Sequence, residues 1–237
     1  MAQLGGQPIF LLKEGTQRTR GNDAMENNIT AAIVIAEAVR TSLGPRGMDK
    51  MLVDQFGDVV ITNDGATILK EIDVQHPAGK MMVEVAKTQD SEVGDGTTTS
   101  VILAGELLKR AKKLLEQKIH PTVVTEGFRK AADKAIEILD SISIKSGIDD
   151  TKGLKNCAMT CMSSKIVSES KEMLAEMCIE AIKAVAEQVD GKWLADIEKV
   201  QIQKKEGDSI DDTRLIKGII LDKEVVSPSM PKSVKNA

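Results

Sequence analysis

Aromatic residues are nearly absent from this sequence of 237 residues, which has three phenylalanines, one tryptophan and no tyrosine. Because large rings cannot fill the interior, aliphatic residues, methionine and alanine must form the core, and several of these favour helices. The hydrophobic content of 41% still allows a sizeable core. The sequence therefore predicts a mainly helical protein with one or two domains.

The sequence also lacks the marks of several protein classes. Three cysteines form no disulfide framework, and no apolar run reaches membrane-spanning length. Gly5, Gly6 and Gln7 interrupt the first residues, which excludes a secretory signal there. The net charge of −4 lacks the basic excess that is typical of nucleic-acid-binding proteins. P-loop, zinc-protease and Ser-His-Asp spacings are absent too. We therefore predict a cytoplasmic protein that binds neither nucleic acid nor membrane.

What is present is a loop of glycine and hydroxyl residues ahead of a long apolar stripe, Val101 to Leu115. Gly94 and Gly96 flank Asp95, and four hydroxyl residues follow: Thr97, Thr98, Thr99 and Ser100. Glycine lets backbone N–H groups approach an anion, and a helix start adds unpaired N–H groups. A carboxylate at that point can hold Mg²⁺ on phosphate oxygens. The segment alone is equally consistent with a polar loop that only caps a helix.

Two further loops have residues that suit a phosphate site. Gly44 and Pro45 end the first predicted helix, and with Arg46 they could turn backbone N–H groups and a cation toward an anion. Gly-Pro is also an ordinary turn signal. Asp64 stands between a predicted strand and a short helix. A carboxylate there is most often an N-cap, but it can also face a phosphate bound by a neighbouring loop.

Local patterns in the first part of the chain predict helices joined by a hairpin. Asn22 or Asp23 caps the first helix, and Pro77 and Pro121 each open a later one. The histidine before each of these prolines is interpreted as an exposed boundary residue. Strand patterns occur at four short runs: 9–12, 51–53, 59–62 and 142–144.

The second part of the chain is predicted to begin with helices and to continue with β-like runs. Cys157 and Cys161 lie on one helical face and are interpreted as buried apolar residues, not as metal ligands. A long helix is predicted to end at Asp190–Gly191. The β-like runs at 200–203 and 215–221 have too few partners for a closed sheet.

Three segments, 43–52, 62–69 and 94–99, together resemble the N-terminal signatures of group II chaperonin subunits. This is the family of the archaeal thermosome and the eukaryotic cytosolic chaperonin, and the resemblance extends from about Pro8 to Lys232. It implies an ATPase that binds ATP with Mg²⁺ and assists the folding of non-native polypeptides. Its partners would be other chaperonin subunits in a double ring.

The resemblance also implies roles for single residues. The loop of Gly44 and Pro45 would cradle phosphates together with the second loop: Gly94, Asp95, Gly96, Thr97, Thr98 and Thr99. Asp95 is similar to the Mg²⁺ ligand of the family, and Asp64 to a carboxylate that positions or activates the attacking water. Lys165 resembles the nucleotide-sensing lysine of the intermediate domain. These roles agree with phosphoryl transfer, which needs positioning and charge neutralisation.

The implied fold is mainly α with small β elements (α+β). Residues 1–145 would be an equatorial ATP-binding segment with a β-hairpin, 146–213 part of the intermediate domain, and 214–237 the beginning of an apical domain. Family chains are more than twice as long, and a second hydrolytic aspartate belongs to their later part. The alternative function is therefore a truncated, non-hydrolysing nucleotide-binding or ring-interaction subunit. A small metal-dependent kinase or phosphatase would need an acceptor pocket and a second lobe, which the sequence does not suggest.

Overall fold

Helices dominate the first unit of the chain, Met1–Ile142, and form the packed part of the second unit, Ser143–Ala237, in the computed structural model. The structure describes residues 3–4, 7–8, 18–54, 56–207 and 209–235. The β structure in these ranges consists of two-stranded antiparallel sheets. The predicted fold class, mainly α with small β elements, is confirmed. The division into equatorial, intermediate and apical parts stays a prediction.

Within the described ranges, the first unit contains two short hairpins, four packed helices and a final long helix. Its elements are β1 Gln3–Leu4, β2 Gln7–Pro8, α1 Gly21–Arg40, β3 Lys50–Val53, β4 Val59–Thr62, α2 Gly65–Glu71, α3 Pro77–Val93, α4 Thr97–Glu116 and α5 Pro121–Ile142. Strand β1 pairs with β2, and β3 pairs with β4. The hairpin predicted from 51–53 and 59–62 is therefore confirmed.

Two predicted boundaries in this unit are wrong, and one lies outside the described residues. Helix α1 has Arg20 at its N-cap, so Asn22 and Asp23 lie inside the first turn. An acidic residue such as Asp23 is favourable there because the helix N-terminus is partly positive. Helix α5 continues to Ile142, which excludes the strand predicted at 142–144. The strand predicted at 9–12 lies outside the described residues.

The core of the first unit lies among α1, α2, α3 and α4, and none of its members within the described ranges is aromatic. Its buried members are Ala32, Ile35, Ala36, Val39, Ala66, Ile68, Leu69, Met82, Val83, Ala86, Val101 and Ile102. Small residues let α1 and α4 approach closely, since a Cβ added to Gly105 would stand 2.3 Å from the Ala36 Cβ. A larger side chain at Gly105 would therefore push α1 and α4 apart.

Helix α5 differs from α1 to α4 because most of its apolar stripe is exposed. Val124 is its one buried residue among those described. Several large apolar side chains on it are open to solvent: Val123, Ile136, Ile138, Leu139 and Ile142. The periodicity predicted the helix correctly, but it did not predict burial. No described helix is both long enough and apolar enough to cross a bilayer.

The second unit is built on two packed helices and a small hairpin. Its elements are α6 Thr151–Met162, a 3₁₀ helix Ile166–Ser170, α7 Lys171–Val185, β5 Ala186–Val189, β6 Lys192–Ala195 and two further 3₁₀ turns, Ile197–Lys199 and Ile210–Asp212. Helix α6 packs against α7, and Lys155 pairs with Glu176 across them at 2.5 Å. Ala175 and Ile179 of α7 are buried.

Three predictions for the second unit are wrong. The long helix predicted to reach Asp190–Gly191 ends at Val185, and the following residues pair as β5 and β6. Runs 200–203 and 215–221 form no strand, because each lacks a paired neighbour. Cys157 and Cys161 are exposed, as is Cys178. Helix α6 buries no residue fully, so the cysteine face stays open to solvent.

Candidate functional site

The reversal between α3 and α4 takes only three residues, Gly94, Asp95 and Gly96, called here the α3–α4 loop. Both glycines have φ of +73°, in the left-handed region that side chains rarely adopt. The Gly94 N–H donates to the Gln89 carbonyl at 3.2 Å and closes the end of α3. Helix α4 therefore begins at once behind Asp95, with its unpaired N–H groups at the loop.

Asp95 is exposed at this helix start. Its Oδ1 accepts the Gly96 N–H at 2.7 Å, and its backbone carbonyl accepts Gln89 Nε2 at 2.8 Å. The Asp95 carboxylate suits Mg²⁺, which takes one or two protein carboxylates and completes its shell with phosphate and water, and the helix N-terminus suits the phosphate. No cluster of three or more His, Cys, Asp or Glu occurs in the described ranges, and such an ion needs none. The residues present therefore fit Mg²⁺ bound together with phosphate.

Asp64 is the N-cap of α2 and at the same time contacts the start of α4. Its Oδ2 accepts the Thr67 N–H at 2.9 Å and the Thr67 hydroxyl at 3.0 Å. Its Oδ1 accepts the Thr97 hydroxyl at 3.1 Å, across 33 residues of sequence. The capping interpretation is confirmed, and the carboxylate is also brought beside the α3–α4 loop. Three hydroxyl and amide donors fix its orientation.

The starts of α2 and α4 touch at Gly65. A Cβ at this position would lie 2.5 Å from Thr98 Oγ1 and 2.8 Å from Thr98 Cα. Thr97 and Thr98 are only 4% and 7% exposed, whereas Thr99 faces solvent. The first two threonines therefore hold the two helix starts together.

The Gly44 and Pro45 loop is closed by its own hydrogen bonds. Gly44 has φ of +84°, and its carbonyl accepts the Gly47 N–H at 2.8 Å. The Met48 N–H donates to the Thr41 carbonyl at 2.9 Å. This loop follows directly on α1, which crosses α4 closely. A shared phosphate site of this loop with Asp95 stays a prediction.

An ion pair joins the end of α1 to the middle of α4. Arg40 donates to Glu37 at 2.8 Å and also to Glu106. These bonds raise the pKa of Arg40, and the bond that Arg40 donates to Glu37 has the larger effect. The Arg40 hydrogen bond lowers the pKa of the Glu106 carboxyl. The Arg40–Glu106 pair thus links α1 to α4 through two partly exposed side chains.

Lys165 belongs to the second unit and precedes its first 3₁₀ helix. Its backbone N–H donates to the Met162 carbonyl at 3.0 Å, and its carbonyl accepts the Ser168 N–H at 3.0 Å. The side chain is partly buried. Its role as a nucleotide sensor stays a prediction.

Both histidines cap the helices that follow them. His76 Nδ1 accepts the Ala78 N–H at 3.2 Å, and His120 Nδ1 accepts the Thr122 N–H at 3.3 Å. Their interpretation as boundary residues is confirmed, although His76 is only partly exposed. Neither ring contributes to the loops described above.

Sequence reasoning missed two residues that shape this site, Gln89 and Gly65. Gln89 lies within a helix whose pattern marks only the apolar face. Gly65 follows the capping Asp64, where small residues are common. In both cases the signal is a tertiary contact, which no local pattern contains.

Comparison with known proteins shows the family of the chain. The sequence profile of the TCP-1/cpn60 chaperonin family matches residues 35–237. A thermosome subunit of Pyrococcus abyssi is 60% identical over 237 residues, which are 100% of this chain and 43% of that protein. Thermosome subunit alpha of Archaeoglobus fulgidus is 58% identical over 237 residues, again 100% of this chain and 44% of the relative.

Thermosome subunit beta of Thermoplasma acidophilum is 59% identical over 234 residues, or 99% of this chain and 43% of the relative. The chain thus spans less than half the length of these relatives. The resemblance to group II chaperonin subunits is confirmed by the thermosome relatives. With the family profile matched from residue 35 to residue 237, the chain belongs to the TCP-1/cpn60 chaperonin family.

Proposed function

We propose that this chain binds Mg-ATP at the α3–α4 loop and acts as the ATPase part of a cytoplasmic chaperonin ring that assists the folding of non-native polypeptides. One contact supports the proposal above all others. Thr97 Oγ1 donates to Asp64 Oδ1 at 3.1 Å, which joins two motifs that are 33 residues apart. A loop that merely capped α4 would not need a second carboxylate beside it.

The residues divide the work of phosphoryl transfer among them. Gly94 and Gly96 turn the backbone so that N–H groups at the start of α4 can face phosphate oxygens. Asp95 would hold Mg²⁺, which neutralises phosphate charge when bound. Asp64, oriented by Thr67 and Thr97, would position the attacking water or accept its proton.

Other proposed contributors extend this site. The Gly44 and Pro45 loop would line the phosphates from the end of α1, and Thr99 would lie at the exposed side of the first turn of α4. Lys165 would sense the nucleotide from the intermediate domain. We propose the same domain division as the resemblance implies: 1–145 equatorial, 146–213 intermediate and 214–237 apical.

A non-hydrolysing nucleotide-binding or ring-interaction subunit is the second candidate. The hairpin β3–β4 favours it, because large apolar side chains there are open to solvent: Met51, Val53, Phe56, Val59 and Ile61. A two-stranded ribbon is marginal alone, and its edges offer backbone groups to a neighbouring chain. The two candidates differ in phosphate release, not in nucleotide binding or subunit contact.

Asp95→Asn tests the proposed metal site. The amide oxygen can still accept the Gly96 N–H, so the loop keeps its turn while the charge is lost. We expect Mg-ATP affinity to fall about 10- to 100-fold, the scale of a lost charged interaction, and metal-free ATP affinity to change little. Calorimetric titration with and without Mg²⁺ measures both.

Asp54→Asn is the matched control. Asp54 is another exposed aspartate whose Oδ1 accepts backbone N–H groups in a turn, those of Phe56 and Asp58, each at 2.8 Å. It lies in the hairpin, away from the α3–α4 loop in sequence. Equal losses of affinity with and without Mg²⁺ in Asp95→Asn, or no loss, would exclude Asp95 as the metal ligand.

A further inference from the structure

Gln89 holds the α3–α4 loop from the last turns of α3. Its side-chain Nε2 donates to the Asp95 carbonyl at 2.8 Å. Its own backbone carbonyl accepts the Gly94 N–H at 3.2 Å. The amide also lies 3.6 Å from the position that a Cβ on Gly96 would take. The partly buried Gln89 therefore bonds to two residues of the reversal, to Asp95 through its side chain and to Gly94 through its backbone, and its amide lies beside Gly96.

The bond to the Asp95 carbonyl sets the direction of a neighbouring donor. In a trans peptide the carbonyl of Asp95 and the N–H of Gly96 share one plane and point in opposite directions. A carbonyl held by Gln89 therefore keeps the Gly96 N–H on the other side of the loop. That N–H now donates to Asp95 Oδ1 at 2.7 Å, so it lies on the side of the carboxylate.

Loss of this bond would remove one of the constraints on the orientation of the Asp95–Gly96 peptide. Glycine populates positive and negative φ about equally, and Gly96 follows the peptide directly. A flip of the Asp95–Gly96 peptide would turn the carbonyl oxygen, a negative dipole end, toward a bound phosphate. It would also change where the Asp95 carboxylate can reach. The loss would fall on the ligand-binding geometry more than on the fold, because the loop is exposed.

We propose that Gln89 is a positioning residue of the Mg-nucleotide site: it holds the Asp95 carbonyl, and the Gly96 N–H of the same peptide then orients the Asp95 carboxylate toward a metal-bound phosphate. The inference rests on the proposed nucleotide function. It adds a residue that acts through Asp95 and Gly96 and touches no ligand itself.

Gln89→Leu removes the donor with little change in size, and Gln75→Leu is its matched control. Gln75 is exposed, and its Nε2 donates to Asp73 at 2.6 Å, away from the loop. We expect Mg-ADP to bind Gln89→Leu about 5- to 10-fold more weakly, the scale of one neutral hydrogen bond. Gln75→Leu should bind within about twofold of the wild-type chain. Calorimetry with Mg-ADP as the probe measures all three.

A double-mutant cycle separates positioning from general loss of stability. In the Asp95→Asn background, Gln89→Leu should cost less than about twofold, because the group that it positions has already lost its charge. Additive losses would overturn the proposal, as would wild-type affinity in Gln89→Leu. Urea midpoints of the variants check that the fold is kept. Gln89→Glu, which offers no donor at neutral pH, should reproduce the loss if the leucine variant unfolds.

The wild-type chain distinguishes the two levels of inference. Mg-ADP binding by the wild type with an unchanged Gln89→Leu would refute the role of Gln89 and leave the nucleotide site standing. No binding of Mg-ADP by the wild type would refute the proposed function and the role of Gln89 with it. Faster amide exchange at Gly96 in ligand-free Gln89→Leu is the additional result that we expect.

Discussion

Gly65→Ala should separate the two helix starts that form the candidate site. The added Cβ would lie 2.5 Å from Thr98 Oγ1, 2.8 Å from Thr98 Cα and 2.9 Å from Thr98 N. Two of these atoms belong to the backbone of α4, so no rotamer change relieves the clash. Ordinary contact begins near 3.4 Å, and α2 must therefore move by about 0.6 Å.

That shift is large enough to break the contact that supports the proposed function. The Thr97 Oγ1 to Asp64 Oδ1 distance is already 3.1 Å, and about 0.6 Å more would exceed hydrogen-bond range. Overpacking lowers the free energy of unfolding by about 1 to 3 kcal/mol, and the higher helix propensity of alanine raises it by at most about 1 kcal/mol. We expect a net loss of about 1 to 2 kcal/mol in the free energy of unfolding.

Gly127→Ala is the matched control for this substitution. Gly127 lies within α5, and a Cβ there would meet no atom within 4 Å. This variant should gain up to about 1 kcal/mol from helix propensity. Urea denaturation followed by circular dichroism measures both, and their difference reports the close contact at Gly65. A Gly65→Ala variant as stable as Gly127→Ala would refute the reasoning.

Three further predictions concern turnover, pH and assembly. Asp64→Asn keeps an N-cap acceptor and should lower phosphate release by about 10²-fold with little change in Mg-ATP affinity, whereas Asp150→Asn, at the N-cap of α6, should not. Poor ATP binding with normal release would reverse the assignment. The lowered pKa of Glu106 means that its pair with Arg40 stabilises the fold above the unfolded pKa and is lost as pH falls. The stability difference between wild type and Glu106→Gln should therefore shrink from about pH 6 to about pH 3; a constant difference would contradict it. Hydrogen exchange at β3–β4 should slow on ring assembly, and full protection in a dilute monomer would exclude a ring contact there.

Residues at helix starts could be predicted because capping is a local interaction. Asp64 reaches an N–H three residues ahead, and the sequence around it contains both partners. Gly94 and Gly96 mark left-handed positions in a similar way. The positions of these residues at the starts of α2 and α4 are confirmed. Their roles toward a nucleotide stay predictions, because the local pattern is the same for a cap and for a phosphate site.

The hairpin β5–β6 contains a turn signal that the sequence analysis interpreted as the end of a helix. Asp190 and Gly191 were predicted to end a helix, but both have positive φ, 51° and 76°, and join two strands. Asp-Gly is a favoured two-residue hairpin turn. Apolar periodicity before it suggested a helix as far as Val189. The pairing of Val189 with Lys192 shows that this segment is a hairpin and not a helix. Apolar periodicity contains no information about cross-strand pairing.

The contacts that hold the site depend on packing that the sequence does not display. Gln89 reaches a carbonyl six residues ahead only because Gly94 reverses the chain back over α3. Gly65 is needed because α4 starts against it, and Gly105 allows a second close contact of α4, with Ala36 of α1. A substitution screen guided by motifs would test Asp95 and neglect the residues that position it. The geometry makes the supporting contacts as testable as the carboxylates themselves, since each predicts a loss that its matched control should not show.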